Sequence, residues 1–228
     1  MTTDKLEHIN NTIRYTNWSA YQLRGKLVEP DITSEEFNQW VLDLAEQDIT
    51  LRGAYDIRGF RGDTELLLWL HAPRAEDIQG ALSTFLHTQL GQLAVPTWTG
   101  MGLHRPAEFN RSHVPGFMLG VEAKKWLCMY PFVRSYDWYL LDESERRDML
   151  IEHGVAGHNY SGITSSTVAS FALGDYEWLL ALESEDLHEI VDMMRDLRYT
   201  KARLHVREEV PFFTGQRIDL QQIGKLFS

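Results

Sequence analysis

The residues best able to do chemistry are concentrated between positions 125 and 153. Lys125-Trp126-Leu127-Cys128-Met129-Tyr130-Pro131-Phe132-Val133-Arg134 is followed by Asp137-Trp138-Tyr139 and then by Glu152-His153-Gly154. A phenol that can give up an electron, a guanidinium that can pair with a carboxylate and an imidazole that can hold a metal thus fall within about one strand and one helix. Together they outline a cofactor site.

Each residue also has a plainer reading. His153 follows Met149 and Leu150 by four and three positions, so in a helix its imidazole shares their apolar face. The plain alternative is a histidine complementing a helix C-terminus, worth about 0.3–1 kcal/mol when exposed. Tyr130 precedes Pro131, which donates no ladder hydrogen bond and belongs near a strand end or edge. A tyrosine there is ordinarily half-buried packing. Arg134 lies four positions after Tyr130, on the same strand face if the alternation survives the proline. Alone it reads as a surface charge; beside a carboxylated ligand it is a bidentate anchor. His113, in Asn110-Arg111-Ser112-His113-Val114-Pro115, lies in a loop. An exposed histidine is usual there, yet loops over a rigid scaffold also carry catalytic bases.

The formal charge of -11, from 33 acidic and 22 basic residues, argues against a nucleic-acid or anionic-membrane partner. Hydrophobic residues make up 43% of the chain, enough for a sizeable core. Apolar runs such as Leu66 to Leu70 are too short to span a bilayer, and Met1 to Asn11 lacks the features of an export signal. The expectation is a cytoplasmic protein without a membrane span. Cys128 is the only cysteine, which excludes an intrachain disulfide and a cysteine-based metal cluster.

The elements that must position these residues form two similar passes. The first reads as a strand near 14–24, a helix opened by Thr33-Ser34-Glu35-Glu36, a hairpin of strands 51–60 and 65–70 around Arg61-Gly62-Asp63, a helix near 75–92 and a strand near 97–104. The second reads as a strand at 125–133, a helix at 143–153 capped by Asp142 and ended by Gly154, strands near 164–172 and 178–182, a helix at 185–197 and a strand at 202–210. The fold class is α+β, with two ferredoxin-like βαββαβ modules. The expected boundaries are a module over 1–104, a Pro- and Gly-rich linker over 105–123 and a second module over 124–228.

The run Cys128-Met129-Tyr130-Pro131-Phe132, Asp137-Trp138-Tyr139, Glu145-Arg146-Arg147, Glu152-His153-Gly154 and Asp175-Tyr176-Glu177-Trp178 closely resembles the coproheme decarboxylases of the chlorite dismutase superfamily. The resemblance covers most of the chain, and the His113 loop is similar to that of the actinobacterial branch. It implies the dimeric α/β-barrel type of fold, a homopentamer, and iron coproporphyrin III bound by the carboxy-terminal module. It further implies that hydrogen peroxide drives two oxidative decarboxylations, of propionates 2 and then 4, giving haem b as the last step of haem biosynthesis. Carried over by position, the proximal iron ligand is His153, the radical-forming tyrosine is Tyr130, the distal histidine is His113, and Arg134 takes the place of a propionate-contacting base. Where the firmicute branch has a distal glutamine, register gives Ser166, and the arginine of chlorite dismutases is missing.

A propionate β-hydrogen is far too weakly acidic for a side chain with a pKa between about 4 and 10 to remove. Forming a vinyl group with loss of carbon dioxide therefore requires an oxidant and removal of two electrons. Peroxide must lose and regain a proton, which suits a histidine titrating near neutrality. A tyrosyl radical within roughly 3–3.5 Å of the propionate could take its hydrogen atom. The competing readings are a haem peroxidase or chlorite dismutase on the same fold, a non-catalytic haem-binding or delivery protein using His153 alone, and a cofactor-free assembly module. A transient ferrochelatase contact is left open.

Overall fold

The computed structural model describes residues 3–228. In chain order the elements are α1 (Thr3–Asn11), β1 (Tyr15–Leu23), α2 (Pro30–Ala45), β2 (Thr50–Asp56), β3 (Leu66–Ala72), α3 (Ala75–Phe85), α4 (Gln89–Leu93), β4 (Ala94–Leu103), β5 (Trp126–Arg134), α5 (Glu143–His158), β6 (Thr164–Ala169), β7 (Trp178–Ser184), α6 (Leu187–Leu197), β8 (Val206–Glu208), β9 (Phe213–Arg217) and α7 (Ile223–Leu226). They divide into two compact units, one of residues 12–104 with 215–228 and the other of 3–11 with 105–214.

These boundaries correct the sequence-based ones at three places. Residues 215–228 pack with the first unit, residues 3–11 with the second, and the stretch 105–123 belongs to the second unit rather than standing apart. Helix α1 has no counterpart in the expected pattern.

In the first unit the antiparallel order is β4-β1-β3-β2, with Gln216 and Arg217 of β9 paired to the outer edge of β2. Its helices cover one sheet face over an aromatic cluster in which Phe37 and Phe85 are fully buried and packed with Trp40 and Tyr21. Helix α2 begins earlier than its hydroxyl residues suggested. Pro30 opens it, and Thr33 and Ser34 sit inside the first turn donating back to the carbonyls of Glu29 and Pro30. The helix expected over 75–92 is two helices. Thr88 breaks it by donating to the Phe85 carbonyl and accepting from Gly91 N at 3.1 Å. The β2–β3 hairpin is present, but through a connection closed by Ile57 N donating to Glu65 O rather than a tight turn.

In the second unit the order β8-β5-β7-β6 repeats the first unit's pattern, all antiparallel. Two expectations fail here. Helix α5 does not stop at Gly154 but runs on to His158, accepting glycines at 154 and 157 that each cost about 1 kcal/mol relative to alanine. The strand expected over 202–210 is mostly a 3-10 turn, Lys201–His205, leaving only β8. Its alternating apolar residues mimic a strand, yet Leu204 is exposed and only Ala202 of the turn is buried.

Truncating Phe37 to alanine empties the centre of the first unit's core. The expected cost is about 3–5 kcal/mol. Denaturant unfolding of Phe37→Ala measures it, and a loss under 1 kcal/mol would show that the cluster does not hold this unit together.

Candidate active site

The site is built on one face of the second unit's sheet. In the antiparallel register Tyr130 lies opposite Leu180, which lies opposite Thr167; Cys128, Leu182 and Ser165 form the adjacent row. Residues directly opposite share a face, so this is the face on which α6 packs with Ile190 and Met193. Pro131 sits inside the register, opposite Leu179, so the alternation survives it and Phe132 returns to the side of Tyr130.

Tyr130 is buried, stacked on Phe212 with ring centroids 4.5 Å apart, and its hydroxyl donates to Met194 Sδ at 3.5 Å. Burial pushes the phenol's pKa well up, helped by Glu209 and Cys128, with Arg198 and Arg203 opposing. The phenol therefore keeps its proton. Arg134 carries its guanidinium over Trp138 at 4.2 Å and over Phe132 at 5.2 Å, and burial lowers its pKa. Its backbone N–H donates to Glu177 Oε2 at 2.9 Å, a carboxylate that also accepts from the Tyr139 hydroxyl.

His153 lies on α5, partly buried, with Nδ1 3.3 Å from Thr200 Oγ1. Its neighbour Glu152 accepts from Lys201 N at 2.9 Å, so two consecutive residues of α5 are tied to two consecutive residues of the chain after α6. Burial lowers the His153 pKa; Arg134 and His113 push the same way and Glu152 opposes them. The imidazole is neutral near pH 7, the form that ligates a metal.

None of the sixteen residues of α5 is buried. The corresponding helix of the first unit, α2, buries five: Thr33, Ser34, Phe37, Trp40 and Leu44. Two turns before His153, Arg146 pairs with Glu108 at 3.0 Å while its Nε is buried without a hydrogen-bond partner among the described residues. A helix that offers an imidazole and a guanidinium but no packed core face suits a flat apolar ligand bearing carboxylates. No group of three or more His, Cys, Asp or Glu among the described residues is placed to hold a metal ion. A metal on His153 would need its remaining ligands from a macrocycle. A cavity of about 500 Å³ along the neighbouring side of α5 is lined by Leu141, Glu145, Asp148, Met149, Glu152, Lys201 and His205. Its three carboxylates make it a poor slot for an apolar anion.

His113 sits in its loop, exposed, with its backbone N–H donating to the Asn110 carbonyl. Partial loss of water around its ring, and then the charge of His158, lower its pKa. Electrostatics thus links His113, His153 and Arg134, whereas the hydroxyl of Tyr130 is turned to Met194 and its charged surroundings are a different set.

A family model described as chlorite dismutase matches residues 31–218. The chain is 47% identical over 219 residues to the coproheme decarboxylase of Mycolicibacterium smegmatis, covering 94% of each protein. The chain belongs to the chlorite dismutase family. Its fold is similar to that of a mutant chlorite dismutase from Candidatus Nitrospira defluvii in complex with cyanide, with TM-score 0.84, 20% identity and 99% of each chain covered. It is likewise similar to a chlorite dismutase from the same organism in complex with imidazole, with TM-score 0.82, 21% identity and 94% of each chain covered.

Ser166 is fully buried, lies opposite Ala181 and accepts from Phe117 N, so it faces away from the Tyr130 side of the sheet. Ser165, Thr167 and Ala169 occupy that side, which only the β6–β7 register shows. Sequence reasoning named Trp138, beneath Arg134, and Arg146 only as members of motifs, with no role of their own, and passed over Thr200 beside His153. Only Arg146 had a signal, being seven residues before His153 and hence on its helix face.

The pH titration of His113, followed by NMR, should have a midpoint below the ordinary 6.5, and His158→Gln should raise it by removing a repelling charge. An unchanged midpoint in the variant would separate the two histidines electrostatically.

Proposed function

We propose that this chain is a peroxide-dependent coproheme decarboxylase: it converts two propionates of iron coproporphyrin III to vinyl groups and releases haem b. The observation that carries this reading is His153, a partly buried imidazole whose pKa burial lowers, on a helix that has no buried side chain of its own. The likeness over nearly the whole chain to a coproheme decarboxylase supports it.

For each propionate the balance is loss of carbon dioxide, one proton and two electrons, while hydrogen peroxide takes up two electrons and two protons to give two waters. Bound iron porphyrin supplies the redox equivalents. His153 holds the iron from one side and orients the macrocycle. Arg134 and Arg146 anchor carboxylates, Arg134 with a guanidinium partly stripped of water over Trp138, where a charge-assisted bond is strong. His113, neutral near pH 7 because its pKa is lowered, accepts the proton that peroxide must lose. Tyr130 would lose its electron to the peroxide-derived oxidant and its proton to water together, and the phenoxyl would regain both as a hydrogen atom from the propionate β-carbon. A second one-electron oxidation with loss of carbon dioxide would then leave the vinyl group. Release of Tyr130 from Met194 accompanies this role.

Chlorite chemistry is disfavoured because the β6 residues facing the Tyr130 side, Ser165, Thr167 and Ala169, include no arginine. No helix among the described residues is long and apolar enough to cross a membrane. The reading includes a cytoplasmic homopentamer and transient contact with a ferrochelatase; exposed Leu140, Tyr199 and Leu204 offer apolar surface for assembly.

Tyr130→Phe should bind iron coproporphyrin III as wild type does in a Soret titration yet form no vinyl product by mass spectrometry. Product at the wild-type rate would leave the chain a carrier or a different oxidant enzyme. His113→Ala should slow peroxide-driven turnover about 10²-fold at neutral pH, and an unaltered pH–rate profile would remove His113 from proton transfer.

A further inference from the structure

We propose that Thr200 is a positioning residue that fixes His153 in the Nδ1–H tautomer and so presents Nε2 as the iron-binding lone pair. A threonine hydroxyl carries one proton and can accept at its oxygen. Thr200 Oγ1 donates that proton to the Leu197 carbonyl at 2.9 Å, at the end of α6. The same oxygen lies 3.3 Å from His153 Nδ1. With its only proton committed to Leu197, the hydroxyl can serve His153 only as an acceptor. Nδ1 must then carry hydrogen, and Nε2 is bare.

The position of Thr200 is itself over-determined. It is buried, its backbone carbonyl accepts from Arg203 N at 3.1 Å, and the next residue is clamped by Glu152 through Lys201 N. The hydroxyl oxygen is therefore held by the end of α6 and by the following turn, with Glu152 of α5 tying down the next residue. The partner of Nδ1–H is also a neutral oxygen rather than a carboxylate. It orients the ring while adding less basicity than a carboxylate would, so the imidazole is a comparatively weak electron donor to iron.

The inference rests on the coproheme reading only for its iron-dependent arm. In the ligand-free protein with ¹⁵N-labelled histidine, NMR at a pH where His153 is neutral should show a pyrrole-type Nδ1 and a pyridine-type Nε2. Thr200→Val, similar in shape but lacking the acceptor, should shift the population toward Nε2–H, and Thr200→Ser should restore the wild-type pattern. In Soret titrations with iron coproporphyrin III, Thr200→Val should bind about 10–100-fold more weakly and Thr200→Ser near wild type. A pyridine-type Nδ1 in wild type overturns the proposal, and this measurement needs no variant to fold. An unchanged tautomer in folded Thr200→Val does the same, leaving Thr200 a helix-end residue only. The expected tautomer in a wild-type protein that takes up no iron coproporphyrin supports the hydrogen-bond assignment and overturns the proposed function instead.

Discussion

Everything at the site depends on how α5 is held. An isolated helix of this length is marginal in water, and helices in proteins are ordinarily secured by burying an apolar face. Helix α5 buries none. It is attached through polar contacts: Glu152 and His153 to Lys201 and Thr200, and Arg146 to Glu108. The inner face that α2 fills with Phe37 and Trp40 in the other unit is left here to partly exposed Met149 and Leu150. Iron coproporphyrin, in the proposed function, occupies the role of that missing core.

The same division of labour explains why the two units share a strand order and differ in chemistry. A βαββαβ module needs helices over one sheet face, and each unit meets that need through its second helix of the module: α3 in the first, α6 in the second with Ile190 and Met193 buried. The first helix of each module is then free to differ. In the first unit it completes an aromatic core; in the second it carries an imidazole.

Charge distribution follows the same logic. The overall -11 is a property of the surface, while the groups linked electrostatically around His153 are Arg134, His113 and Glu152. Loss of water around the rings lowers the pKa of both imidazoles, and burial raises that of the phenol. In the proposed function the neutral histidines would bind the metal and accept a proton, while the protonated tyrosine, set among different charged neighbours, would transfer a hydrogen atom.

Much of this was legible in the residue order. The β-α-β-β-α-β pattern, the helix face shared by His153, Met149 and Leu150, and the motifs shared with the family depend on local periodicity and on side-chain identity, which a sequence displays directly. Boundaries set by tertiary contact were not. Thr88 ends a helix because its hydroxyl finds Phe85 O, α5 continues past Gly154, and residues 201–205 leave the strand although their alternation favours it, because Thr200 and Lys201 are bonded to α5. Family resemblance set Ser166 against a distal glutamine, and only pairing with Ala181 shows which sheet face it takes. Sequence alone determined which groups are available for chemistry. Folding decided which of them meet, because strand parity and hydrogen-bond direction are settled only when distant segments pair.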